Sequence, residues 1–354
     1  MTDPRTGAPR SALHELTLTR FRLFFREPSA LFWTFGFPVL LSIALGIAFR
    51  NKPPEALHVA IESSPAAERT LSEIEASGGK EVAARIEDAD AARRDLRAGK
   101  VVLVVTADAR RTYRYDETHP AGRLARRVVD DVLQRAEGRV DPTPVADERV
   151  TEPGARYIDF LVPGLVGVNL MSSSMWGIGY VIVEMRTKRL VKRMLATPMR
   201  KTDFLVSFVL MRALFVLIEV PVLFGFGALA FGVHIAGSVA LILALCTVGA
   251  LAFAGLGLLI ASRAENTQTV GGLMNLVMMP MFVCSGVFFS TSNFPDAVQP
   301  YLRALPLTML NDALRAVTNE GAGLARPLVT WAIVVLFAWA LVSFGTALKI
   351  FRWR

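Results

Sequence analysis

The chain lacks a phosphate-binding loop. No Gly-x-x-x-x-Gly-Lys-Ser/Thr run is present to cradle nucleotide phosphates in backbone N–H groups, and the nearest fragment, Gly78-Gly79-Lys80, is followed by Glu81. Binding and splitting ATP by that route is therefore excluded. No serine sits in a Gly-x-Ser-x-Gly elbow. The four histidines, His14, His58, His119 and His234, are scattered, and no two have metal-ligand spacing. There are only two cysteines, Cys246 and Cys284, both inside apolar runs, which argues against a disulfide framework and for small packing residues. Residues 1–10 carry Pro4 and Pro9 but no apolar core of the kind a signal peptide needs, so targeting falls to the first apolar segment. No solenoid-length repeat and no low-complexity tract is found. These absences predict no catalytic group, metal or cofactor in this chain.

What the chain does have is apolar length. Its 354 residues are 53% hydrophobic, and the mean hydropathy is +0.42, values that point to several membrane spans. The net charge of +8 does not imply nucleic acid, because its placement follows the spans. Residues 50–156 hold 19 Lys and Arg against 20 Asp and Glu, so the basic surplus lies in the membrane-rich remainder.

Ala30 to Phe49 is free of charge and long enough to cross ~30 Å of hydrocarbon at 1.5 Å per residue. Gly36 and Pro38 predict a kink in it. Ahead of it, residues 1–29 form an N-terminal segment in which Leu13, Leu16, Phe21, Phe24 and Phe25 interleave with Arg20, Arg22 and Arg26. That pattern fits either a helix lying in the membrane interface or a plain basic flank. Five further spans are expected at 157–183, 204–233, 238–260, 268–290 and 328–348. The expected fold class is thus an α-helical polytopic membrane protein with six transmembrane helices.

Residues 50–156 differ in kind. Leu57–Ile61 reads as a strand, Ala89–Ala98 as a helix closed by Gly99, and Val101–Thr106 as a buried strand. Thr112–Tyr115 reads as another strand and Leu124–Arg135 as another helix, before a linker over residues 141–154. This is a small α/β domain inserted between spans one and two. Six spans place both termini on one side. That side carries the five arginines of residues 1–30, seven cations in residues 184–203, and Lys349, Arg352 and Arg354 in the tail 349–354. The opposite short segment, His234–Gly237, has no Lys or Arg. Positive charge marks the cytoplasm, so the termini are expected there and the α/β domain outside, long loops being indifferent to charge. The loop at 291–327 carries Val298, Tyr301, Leu302 and Leu305, then Leu310, Ala313, Leu314 and Val317. These read as two short amphipathic helices broken at Pro306 and dipping into the outer interface.

Two places are candidates for function. The run from Glu184 to Asp203 is short and basic, with Leu190, Val191, Met194 and Leu195 at helical spacing, Arg189 and Arg193 among its cations, and Pro198 as a stop. It reads as an amphipathic helix at the membrane face with one side free to dock. Inside the spans, Arg212 and Glu219 are seven residues apart on one helix face, about 10 Å along the axis, a separation that makes direct pairing strained. A charge in hydrocarbon needs a partner or water. Glu219, with Asn169 or Asn275 from neighbouring spans, either lines a translocation path or is an acid satisfied in a helix interface. The serines Ser172–Ser174 and the glycines Gly164, Gly167, Gly177 and Gly179 suit close helix packing.

Several runs resemble the membrane subunit of type-2 ABC exporters, nearly end to end. Tyr157-Ile158-Asp159-Phe160-Leu161-Val162-Pro163-Gly164-Leu165 resembles that family's opening of the second span. Glu184 followed by Leu195-Ala196-Thr197-Pro198 resembles its cytoplasmic coupling helix. Ser285-Gly286-Val287-Phe288-Phe289 and Leu305-Pro306-Leu307-Thr308 resemble its re-entrant outer hairpin and the loop after it. One departure is local: where many members carry Gly-Thr ahead of the coupling helix, Arg189-Leu190 stands here. The resemblance implies an ABC ATPase supplied as a separate chain in two copies, holding ATP and Mg, and docked at Glu184, Arg189, Leu190, Arg193, Met194, Leu195 and Pro198. It also implies a second permease chain, a bacterial inner-membrane location, and an amphiphilic substrate such as a lipid, glycan or drug. A periplasmic or wall partner for residues 50–156 is a further expectation. Two other classes remain open on the residues alone. One is a membrane-anchored sensor or assembly factor whose external domain binds a ligand. The other is an ion-coupled secondary transporter, which the lack of inverted repeats weakens.

Overall fold

A computed structural model of the chain describes residues 12–48, 56–77, 81–108, 111–140, 143, 156–195 and 201–351. The chain divides into two compact units, residues 51–149 and residues 1–50 together with 150–354.

The smaller unit is an α/β layer structure. Its strands are β1 (Leu57–Glu62), β2 (Val82–Glu87), β3 (Leu103–Ala107) and β4 (Arg111–Arg114), in sheet order β2-β1-β3-β4. β1 runs parallel to β2 and β3, and β4 returns antiparallel to β3. Alternation along the strands sorts the side chains. Val59, Ile61, Leu103 and Val105 meet α4 (Ala67–Ser77) and α6 (Pro120–Ala136), while Ala60 and Val104 meet α5 (Ala89–Arg97). All six are fully buried, and burying a Val or Ile side chain of this kind stabilises by about 1.5–3 kcal/mol. The expected strand at 57–61 and helix at 89–98 lie within a residue of those found. α4 and β2 were not anticipated, because Val82-Ala83-Ala84-Arg85-Ile86 has neither clean alternation nor a β-branched run.

The larger unit is helical. α1 (Ala12–Phe25) precedes a broken helix made of α2 (Pro28–Leu31), a π-turn (Phe32–Gly36) and α3 (Phe37–Ala48). After the α/β unit come α7 (Tyr157–Met175), a second π-turn (Trp176–Tyr180), α8 (Val181–Thr187) and α9 (Leu190–Leu195). α10 (Lys201–Phe231), α11 (Val239–Arg263) and α12 (Thr267–Cys284) follow, then α13 (Gln299–Arg303), α14 (Pro306–Glu320) and α15 (Pro327–Ile350). Among the described residues, five helices are long and apolar enough to cross a membrane: Tyr157–Thr187, Val206–Phe231, Val239–Arg263, Thr267–Cys284 and Pro327–Ile350. Phe32–Ile47 is apolar but shorter. The fifth expected span also ends earlier than expected, at Cys284, because Gly286 takes a left-handed conformation (φ 69°) and turns the chain.

The core of this unit lies where α7, α11, α14 and α15 meet. Close approach there depends on absent side chains. A Cβ on Gly167 would lie 2.0 Å from Asn311 Oδ1, and one on Gly257 would lie 2.9 Å from the Met175 Cα. Gly164 and Gly179 are similarly crowded, as small-residue packing predicts, but Gly177 has nothing within 4 Å and does not serve a contact. The two helices expected on either side of Pro306 are found as α13 and α14, but the second is not the interfacial helix expected. α14 begins with Pro306 in its first turn and ends at left-handed Gly321. Leu310, Ala313, Leu314 and Val317 are buried, but so are Thr308, Asn311 and Thr318 on its other sides. It is a core helix and not one lying along a lipid boundary.

Candidate functional site

The basic loop is built from two short helices and a strained turn. α8 stops after Thr187, and Arg189 has φ 57°, a left-handed conformation that costs an L-residue with a Cβ roughly 1–2 kcal/mol. Only glycine takes it freely. α9 then turns Val191 into the core at 4% exposure, while Leu190 stays 37% exposed and Arg193 is exposed. Glu184 holds Lys188 at 2.7 Å on the surface. Met194 and Leu195 are helical, with side chains outside the described residues, as is Pro198. Arg186 does not belong to the free face. Its Nη1 donates to the carbonyls of Ala261 (3.1 Å) and Ala264 (3.0 Å), closing the C-terminal end of α11, where acceptors are otherwise orphaned.

Close to the same loop, α1 lies against the start of α10. The Arg20 guanidinium stands 3.3 Å from the Phe208 ring centroid and 5.1 Å from that of Phe204, a cation between aromatic faces. Burial pulls its pKa down to about 10, so it keeps its charge at neutral pH.

Within the spans, Arg212 and Glu219 do pair. Arg212 Nη1 lies 2.9 Å from Glu219 Oε2, and the two side chains are 6% and 0% exposed. The expected strain is avoided because an arginine is long enough to run along the helix, while the Cα–Cβ bond of Glu219 leans back toward the helix N-terminus. The other carboxylate oxygen, Oε1, accepts from Asn169 Nδ2 at 2.5 Å and lies 3.1 Å from Ser173 Oγ, both on α7. Arg212 Nε donates to Ser174 Oγ at 2.7 Å. Among the described residues Arg212 Nη2 has no hydrogen-bond partner, and the contact at Glu219 Oε2 falls outside hydrogen-bond alignment. Asn275 is exposed on α12 and takes no part in this cluster.

Asparagines also answer prolines. Pro38 has no N–H for the Thr34 carbonyl four residues back, and Asn169 Nδ2 donates to that carbonyl at 3.1 Å. Pro163 deprives the Asp159 carbonyl in the same way, and Asn319 Nδ2 from α14 supplies it at 3.1 Å. A third polar cluster surrounds this second pair. Arg315 Nε donates to the Phe160 carbonyl (3.1 Å), its Nη2 to the Gly286 carbonyl, and its guanidinium stacks 3.6 Å from the Phe160 ring centroid. Arg156 caps α7 through Asp159 and donates to the Phe231 and Gly232 carbonyls that end α10. Sequence reasoning missed Arg156, Arg315 and Asn319. The available signal was a polar residue on a helix that is otherwise buried, paired with a proline inside an apolar run. No group of three or more His, Cys, Asp or Glu able to hold a metal occurs among the described residues.

Comparison with known proteins agrees with this architecture. The family model described as "ABC-2 family transporter protein" matches residues 28–349. The chain is 26% identical over 214 residues to ABC transporter G family member 20 of Dictyostelium discoideum, a match covering 59% of this chain and 29% of that protein. It is 28% identical over 206 residues to nodulation protein J of Bradyrhizobium diazoefficiens, covering 57% of this chain and 76% of that one. Nodulation protein J of Rhizobium meliloti is 27% identical over the same coverage.

Proposed function

The chain belongs to the ABC-2 family of transporter proteins, and from that premise we propose that it is the permease subunit of an ATP-driven exporter. Its ATPase is a separate subunit, two of which act on a pair of permease chains and bind the ATP and Mg that this chain has no motif to hold. The substrate class is an amphiphile, lipid-like, glycan or drug-like, taken from the cytoplasm or the inner leaflet. On this reading the α2–α3 helix is a sixth, shorter span, both termini are cytoplasmic at the bacterial inner membrane, and the α/β unit is extracytoplasmic.

One observation carries the proposal. A short basic loop joins the Tyr157–Thr187 helix to α10, and its helix α9 buries Val191 while leaving Leu190 and Arg193 exposed. A surface anchored on one side and free on the other is what a docking element requires. Closure of the ATPase pair would press on Glu184, Arg189, Leu190, Arg193, Met194, Leu195 and Pro198 and tilt the two attached helices. The path then opens at the permease interface, with Asn169, Glu219 and Asn275 as its polar candidates. The test is reconstitution with the partner ATPase. Replacing Arg193 and Leu195 together is expected to lower coupled transport about tenfold or more, the scale of a lost interface anchor. Intact assembly with unchanged transport would remove the docking assignment.

A further inference from the structure

Asn169 makes two hydrogen bonds from one amide nitrogen, to the Thr34 carbonyl in the π-turn ahead of α3 and to Glu219 on α10. It thereby joins three separate segments of the chain through a single side chain that is 6% exposed. The carbonyl it takes is the one that Pro38 cannot serve. That carbonyl lies inside a wide turn, in which Phe37 N–H donates five residues back to Phe32, and such turns inside helices mark places where register can shift. The carboxylate Asn169 holds belongs to an ion pair in which Arg212 Nη2 has no hydrogen-bond partner among the described residues. A separate contact joins α1 to the start of α10 nearer the loop, through Arg20 between Phe204 and Phe208.

We propose that Asn169 is a positioning residue, a latch that makes the α2–α3 helix follow the α7–α10 pair as one body when the chain changes conformation. The latch works because one amide replaces the missing proline N–H and at the same time binds the charged pair. α12 and α15 have no such polar tie to α10 among the described residues. The motion itself rests on the transport reading, while the tie between the helices does not.

The experiment is hydrogen exchange on the intact complex with its ATPase, with and without ATP and vanadate. In the wild type, exchange in residues 31–48 is expected to change together with that in 157–187 and 201–231. In Asn169→Ala, amides at 32–37 should exchange roughly tenfold faster, the effect of one lost bond to a buried carbonyl, and the nucleotide-dependent change at 31–48 should disappear. The decisive variant is Pro38→Ala with Asn169→Ala, which returns an N–H to Thr34 without returning the link to Glu219. Restored protection at 32–37 with the nucleotide response still lost supports the latch. Recovery of both would show that Asn169 only fills a backbone vacancy, and unchanged exchange in Asn169→Ala would overturn the proposal outright. A wild-type complex in which no segment responds to nucleotide would instead defeat the transport reading, with the basal exchange of the variants still reading the tie.

Discussion

Arg315 on α14 gives its guanidinium to the carbonyls of Phe160 and Gly286 and stacks on an aromatic ring, whereas Arg212 on α10 faces a carboxylate and has no acceptor for Nη2 among the described residues. Arg212 is buried and the Arg315 side chain is only 12% exposed, but their partners differ in what can change. Backbone carbonyls have no rotamer to change and no formal charge to lose, so the Arg315 cluster is a fixed clamp. Side-chain partners can exchange rotamers, so the Arg212 cluster can be remade. Polar groups inside an apolar core are therefore not one class: their partners decide whether they brace the fold or let it switch.

The comparison breaks most sharply at Glu219. Glu219→Leu should destabilise the chain by about 3–5 kcal/mol in a thermal or denaturant melt, because Arg212 is left buried and uncompensated. Arg212→Met with Glu219→Leu should recover most of that loss. Equal destabilisation in the single and double variants would mean that the two charges are not coupled. Arg315→Met should cost less, about 2–3 kcal/mol, and neutralising Asp312 should not rescue it, since the principal acceptors are carbonyls. The ion pair to Asp312, at 3.7 Å, is the lesser contact.

Smaller effects sharpen the same contrast. Asn319→Leu should cost about 1–3 kcal/mol by orphaning the Asp159 carbonyl, and adding Pro163→Ala should return a large part of it by restoring the N–H. A double variant no better than Asn319→Leu would refute the idea that this asparagine stands in for the proline. At the loop, Arg189→Gly should stabilise the isolated chain by about 1 kcal/mol in a melt, because the left-handed turn loses its steric cost. In the α/β unit, burial and the hydrogen bond to Asp130 push the Tyr113 hydroxyl up to about 12. Its folded state holds the proton more tightly than an unfolded tyrosine near 10. The stability it contributes should be complete below about pH 10 and fall as pH rises toward 12, and Tyr113→Phe should remove this alkaline loss, as followed by circular dichroism.

Much of the helical unit could be read in the sequence because membrane helices announce themselves by length and composition. Five of the expected apolar segments correspond to helices of spanning length, and the loop at 184–203 stands out by charge alone. What could not be read was pairing between distant residues. Asn319 and Asp159 are 160 positions apart, Asn169 and Thr34 135, and no local period links a proline to the asparagine that answers it. The Arg212–Glu219 contact was misjudged for a different reason: axial rise was counted and side-chain direction was not. In the α/β unit, Leu57–Glu62 and Leu103–Ala107 were legible as apolar runs. β2 escaped because an edge strand that buries Val82 but leaves Ile86 37% exposed needs no strong pattern.

The cores of the two units share no residue: the helical core draws on residues 162–351, and the two small cores of the α/β unit draw only on residues 59–133. An insertion with a private interior behaves as a cassette. Changes to its interior need not repack the helical core, so the two units are free to evolve at different rates.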